Sequence, residues 1–293
     1  MIMKSAVSSS LFNLRNLLNL NPRRRLISLT CVSLPKLSPS SITNHTTLQL
    51  LPSSATSGLR RSICSSIASS FKPEQARVPS ALPLPAPPLT KFKIGLCQLS
   101  VTADKNRNIS HTKNAIEEAA SKGAKLIHLF DIDIPRKITY MESRTFTAGE
   151  SPTVVDTDVG RIGIGICYDI RFQELAMMYA ARGAHLLCYP GTFNMTTGPL
   201  HWELLQRARA TDNQLYVATC SPARDYGSLY VAWGHSTLVG PFGDIIATTE
   251  HEEAVIVAEI DYSFLEQRRS SLPLNKQRRG DLYQLVDIQR LNK

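Results

Sequence analysis

Gly163-Ile164-Gly165-Ile166-Cys167-Tyr168-Asp169-Ile170-Arg171-Phe172-Gln173-Glu174 decides how this chain is read. Arg161 to Ile166 has the pattern of a short buried strand, with isoleucines between glycines. Phe172 to Arg182 predicts a helix, because Phe172, Leu175, Ala176 and Tyr179 recur at helical spacing. Gly183 stands where a helix ends in a left-handed residue. Cys167 therefore falls on a tight strand-to-helix turn. Free N–H groups at a helix start favour a thiolate there and can stabilise an oxyanion beside the sulfur. The plainer alternative is a buried structural cysteine, since free cysteine is among the most buried residue types.

Working outward, Cys188-Tyr189-Pro190-Gly191-Thr192-Phe193-Asn194-Met195-Thr196-Thr197-Gly198-Pro199 and Leu204-Leu205-Gln206-Arg207-Ala208-Arg209-Ala210 follow downstream. With the Cys167 stretch, these motifs resemble the carbon–nitrogen hydrolase (nitrilase) family, and within it the omega-amidase branch of plant organellar type. The resemblance runs from about Phe92 to the C-terminus. It implies an α/β fold, an αββα sandwich that two chains extend into a larger stack. It also implies a cysteine nucleophile, a glutamate base and a lysine. The reaction would be deamidation of 2-oxoglutaramate or 2-oxosuccinamate through a thioester on Cys167, with no metal and no organic cofactor.

The formal charge of +9 over 293 residues is unevenly spread. Residues 1–73 hold nine Lys and Arg and no Asp or Glu, and the remaining 24 basic residues are balanced by 24 acidic ones. The high pI belongs to the leader and does not argue for a nucleic-acid surface. A Ser-, Arg- and Leu-rich, acid-free leader fits a transit peptide, to the chloroplast ahead of mitochondrion or cytosol, and otherwise a solvated tail. Leu11 to Leu20 is too short and too interrupted to span a bilayer. The six cysteines contain no Cys-x-x-Cys pair, so neither a zinc site nor a disulfide framework is indicated. Residues 74–90 read as a Pro-rich extended linker, and 91–293 as the catalytic domain.

Within that domain the sequence predicts a βαβ unit: strand Phe92–Leu99, helix Asp104–Lys122 and strand Ala124–Phe130. Strands Pro152–Thr157 and Arg161–Ile166 follow, then the Phe172 helix and strand Ala184–Tyr189. Helix Pro199–Thr211, strand Leu215–Cys220 and a hairpin turning at Gly240–Gly243 come next. Strand Ala254–Ile260 and helix Tyr262–Arg269 close the domain.

One departure from the family dominates. Its first βαβ ends in a strand of the type Gly-Ala-Lys-Leu-x-x-x-Pro-Glu, whose Glu is the base. A long segment then closes with Lys directly before Ile-His-Leu-Phe-Asp. Here Gly123-Ala124-Lys125-Leu126 runs straight into Ile127-His128-Leu129-Phe130-Asp131. The fold is therefore incomplete between Leu126 and Ile127, and Leu126 stands in the place of the Lys. The loss should leave neighbouring strands without ladder partners and expose a sheet edge.

Counting from Gly123, Asp131 falls where the base would be, one methylene short, and is a tentative substitute. Glu142 fits the family's second glutamate. Lys125 and Lys137 have no motif support as replacements for the missing Lys. The resemblance assigns the oxyanion contact to the Tyr168 backbone N–H, the pairing of a distal carboxylate to Arg171, and pocket walls to Phe193 and Thr197. An ion pair of Arg171 with Glu174 or Asp169 is the structural alternative. His201 and Trp202 read as packing residues. The expected partners are a small 2-oxo acid amide and a second copy of the chain, with no nucleic acid and no membrane. A non-catalytic form that keeps the pocket alone is the competing reading.

Overall fold

The structure, a computed structural model, describes residues 27–29, 85–129, 149–228 and 230–291. Helix α1 (Lys105–Ser121) starts at Asp104, whose carboxylate accepts from the Arg107 N–H at 3.0 Å. It stops before Gly123, whose φ of +90° no branched residue adopts readily. Its buried apolar side chains, Ala115, Ile116 and Ala119, lie at helical spacing on one face. That face covers a four-stranded sheet ordered β1-β3-β2-β10, from β1 (Ile27–Leu29), β2 (Lys91–Gln98), β3 (Ala124–Leu129) and β10 (Ala254–Asp261). A Cβ on Gly95 of β2 would stand 2.9 Å from Ala119 Cβ, so only glycine lets the helix pack this closely.

The second sheet has six strands in chain order: β4 (Thr153–Thr157), β5 (Gly160–Ile164), β6 (Leu186–Pro190), β7 (Tyr216–Cys220), β8 (Thr237–Val239) and β9 (Ile245–Thr248). β5, β6 and β7 are parallel, as βαβ crossovers through α2 (Gln173–Ala181) and α3 (Gly198–Asn213) require. α4 (Tyr262–Ser271) and the short α5 (Leu274–Gln277) follow β10. The larger hydrophobic cluster joins Phe92, Ile94, Leu96 and Leu126 of the first sheet to Ile162, Leu186, Tyr189 and Val217 of the second. A smaller one joins Cys97, Ile127 and Leu129 to the buried face of α1. Helix, two facing sheets and helices make the αββα layering that the family resemblance implied. No helix among the described residues is long and apolar enough to cross a membrane. A last helical turn, α6 (Ile288–Leu291), belongs to a separate unit.

Element boundaries move by a few residues from expectation. The strand expected over Arg161–Ile166 ends at Ile164, and Cys167–Arg171 form a 3-10 turn ahead of α2. Tyr262 N–H donates to Thr90 O at 2.9 Å, and the His185 ring bonds Pro85 O at 2.8 Å, so the chain is fastened to the domain before Lys91. His185 spends both nitrogens this way, its Nδ1 accepting from Arg161 N–H at 3.0 Å, and burial holds its pKa below 6.5.

The largest correction concerns the joined strand. β3 pairs with β2 in parallel, Ile94 facing Leu126 and Leu96 facing His128, with a bulge beside Lys125. Its outer edge, expected to be exposed, carries Ile27–Leu29 of the N-terminal segment in parallel register, Leu29 facing His128. Three N-terminal residues therefore pair with the edge that the joined strand would otherwise present.

Candidate active site

Cys167 ends the run out of β5 with φ of +48°, a left-handed conformation that costs a non-glycine residue energy and marks functional turns. Ile166 N–H donates to Asp169 Oδ2 at 2.8 Å, and Asp169 N–H donates to Ile166 O at 2.9 Å. This reciprocal pair closes the turn and leaves the Tyr168 N–H in its first residues, where no intrahelical acceptor exists. Arg209 of α3, itself buried, clamps the far end: Nε donates to Ile170 O at 2.9 Å and Nη2 to Arg171 O at 3.0 Å. A Cβ on Gly191 would lie 2.6 Å from Cys167 Cα, so the loop after β6 approaches only as glycine. The Cys167 thiol donates to Thr192 O at 3.4 Å, and the Tyr230 hydroxyl donates to the same oxygen at 3.1 Å.

Among the described cysteines, Cys97, Cys188 and Cys220 are buried and Cys167 is not. Burial raises the pKa of the Cys97 and Cys188 thiols well above the ordinary range, so these stay protonated and inert. Cys167 is half-buried, unlike the three core cysteines.

Arg171 lies one 3-10 turn after Cys167. Its Cζ sits 4.4 Å from the Phe193 ring centroid and 5.0 Å from that of Tyr168. Among the described residues no carboxylate lies within ion-pair distance of it. The alternative ion pair fails because Asp169 faces the Ile166 N–H instead and Glu174 is exposed. Phe193 is buried against Trp202, ring centroids 4.9 Å apart. Thr197 caps α3, its N–H and Oγ1 both bonding Asn194 Oδ1, at 2.9 and 3.0 Å. Arg171, Tyr168 and Phe193 are thus brought together, while the Thr197 hydroxyl serves first as a turn residue.

Asp131, Lys137 and Glu142 lie outside the described residues. Leu126, in the place of the family's Lys, is fully buried in the inter-sheet core, and Lys125 is exposed. Gly191, Arg209 and Tyr230 carry no role in the sequence reading, where His201 reads as packing. Only Gly191 carried a visible signal, a glycine directly after a strand-ending proline. The others depend on tertiary neighbours.

The carbon-nitrogen hydrolase family profile matches residues 127–270, beginning one residue past Leu126. The chain is 65% identical to the chloroplastic omega-amidase of Arabidopsis thaliana, covering 99% of this chain and 100% of that protein. That alignment is 370 positions long against a chain of 293 residues, so at least 77 positions face no residue here. The human omega-amidase NIT2 is 58% identical over 157 residues, 54% of this chain and 57% of that protein. The chain thus spans little more than half the length of this animal relative. Among solved structures, Saccharomyces cerevisiae Nit3, of branch 10 of the nitrilase superfamily, superposes with a TM-score of 0.60 at 33% identity. It covers 68% of this chain and all of Nit3. The Caenorhabditis elegans NitFhit protein gives 0.62 at 28% identity, with 68% of each chain covered.

Proposed function

Because this chain belongs to the carbon-nitrogen hydrolase family, we propose that Cys167 is the nucleophile of an omega-amidase-type site acting on 2-oxoglutaramate or 2-oxosuccinamate. The observation that carries this reading is Arg171. Its guanidinium is held against an aromatic ring, four residues from a strained cysteine, with no carboxylate of the described residues to neutralise it. A planar guanidinium in that setting suits bidentate pairing with the distal carboxylate of a dicarboxylate-like substrate. Phe193 forms the wall beneath it, and Thr197, directly before α3, is the second proposed wall residue.

The chemistry runs from attack of the Cys167 sulfur on the amide carbon. The tetrahedral oxyanion is stabilised by the Tyr168 N–H, ammonia leaves, and water hydrolyses the thioester. Two steps require a base, first to take the thiol proton and then to activate water. Asp131, which falls in the place of that base by sequence count, is the candidate substitute, and Glu142 the candidate second glutamate. No metal or organic cofactor takes part.

Titration with 2-oxoglutarate tests the pocket independently of turnover. The full-length chain will bind it, and Arg171→Ala will weaken binding by about 100-fold, the loss of a charge-assisted pair. Equal affinity in the two proteins would refute the assignment of Arg171.

We propose import into the chloroplast, supported by the acid-free basic leader and by the chloroplastic relative. A fluorescent fusion of residues 1–90 will enter plastids, and a cytosolic fusion would contradict the proposal. A homodimer is the proposed assembly, supported by Leu200 and Leu204, which lie exposed along one side of α3.

A further inference from the structure

His201 stands in the first turn of α3, where its N–H donates to Thr197 O at 2.9 Å. Its side chain turns toward the 3-10 segment, and its Nδ1 lies 3.2 Å from Arg171 Nη1. Arginine has only donors, so Nδ1 is the acceptor, and the ring proton belongs on Nε2. The Arg171 guanidinium is therefore fixed on two sides, by the Phe193 face at 4.4 Å and by the imidazole. Arg171 Nε is buried without a hydrogen-bond partner among the described residues. A charged donor left unmet in this way is costly unless a ligand completes it.

The chemical type of the second support decides its meaning. A carboxylate at position 201 would hold Arg171 equally well, but it would cancel the charge and compete with an incoming anion. A neutral acceptor orients the guanidinium and leaves its charge unspent. Trp202, the next residue, does the anchoring of the helix itself, its Nε1–H donating to His235 O at 2.7 Å. His201 is thus not needed to hold α3 in place.

We propose that His201 is a positioning residue for dicarboxylate selectivity: its neutral Nδ1 aims the Arg171 guanidinium at the distal carboxylate of the substrate. The inference rests on the proposed assignment of Arg171 and adds the residue that makes Arg171 selective. His201→Asn keeps an acceptor near the position of Nδ1, His201→Leu removes it, and His201→Asp replaces it with a competing anion.

The test is calorimetric titration of the full-length chain and these variants with 2-oxoglutarate and with pyruvate, which lacks the distal carboxylate. His201→Leu will bind 2-oxoglutarate about tenfold more weakly, and His201→Asp more weakly still. His201→Asn will stay within about threefold of the parent chain. Pyruvate affinity will be the same in all four. Nitrogen-15 spectra of the ligand-free parent will show His201 protonated on Nε2 alone. Should His201→Leu match the parent for 2-oxoglutarate, or should pyruvate lose affinity in parallel, His201 is a packing residue and the inference falls. Binding of 2-oxoglutarate that ignores Arg171→Ala would instead overturn the reading of the site, and this inference with it. Each variant is compared at matched circular dichroism, and His201→Asn and His201→Asp still decide the question if His201→Leu does not fold.

Discussion

Full-length chain assayed with 2-oxosuccinamate will release ammonia at least about 10³-fold more slowly than an intact omega-amidase. Two groups are missing. Removing a general base costs about 10²- to 10⁴-fold by itself. The lysine that would stand near the developing oxyanion is replaced by Leu126, whose side chain is fully buried between the sheets. Members of one catalytic unit fail together, so the two losses do not multiply. On the proposed assignment Cys167, the Tyr168 N–H and Arg171 remain, and together they support binding and slow acylation. The residual rate belongs to Cys167, so Cys167→Ala will abolish it. Near-normal turnover would show that Asp131 is an adequate base, and Asp131→Asn would then remove the activity.

The second large effect concerns stability in acid and comes from the joined strand. His128 lies on β3 with Leu126, fully buried between the sheets. Neither ring nitrogen has a hydrogen bond of good geometry, although the nearby Tyr189 backbone offsets the burial in part. Burial drives the imidazole pKa down to about 4 from an ordinary value of 6.5. The folded chain therefore holds a neutral imidazole while the unfolded chain takes up a proton. Stability is whole above pH 6.5 and is lost as the pH falls toward 4, by about 3 kcal/mol from this group. His128→Leu will remove that part of the acid sensitivity. It will also raise stability at neutral pH by about 1–3 kcal/mol, because two unmet polar atoms leave the core. Urea unfolding of both proteins at pH 7.5 and pH 4.5 checks this. The same acid loss in each would show that His128 is not the titrating group.

The succession of strands and helices along the chain and the turn at Cys167 were legible in the sequence, and the αββα layering followed from the family resemblance. Periodicity of two and of 3.6, with glycines at the helix ends, fixes those elements locally. The gap at Leu126 was legible too, because Gly-Ala-Lys-Leu and Ile-His-Leu-Phe-Asp are each recognisable and stand too close together. Its structural consequence was not legible. Nothing in Ile27–Leu29 marks it as a partner for β3, since three apolar or small residues in a basic leader carry no periodic signal. The support of Arg171 was likewise hidden. His201 and Arg171 are 30 residues apart, and their contact exists only once α3 packs beside the 3-10 turn. Arg209, in a run of alternating Arg and Ala, gave no hint that its guanidinium would hold two backbone carbonyls.

The central claim is that Cys167 and Arg171 belong to an omega-amidase site whose base and lysine are missing with the segment between Leu126 and Ile127. The most direct measurement restores that segment. The residues of the Arabidopsis omega-amidase that lie between its counterparts of Leu126 and Ile127 are inserted there, and 2-oxosuccinamate hydrolysis is compared before and after. The account predicts a rise of at least about 10³-fold that Cys167→Ala abolishes. A well-folded insertion protein with unchanged turnover, or with turnover that survives Cys167→Ala, would contradict it.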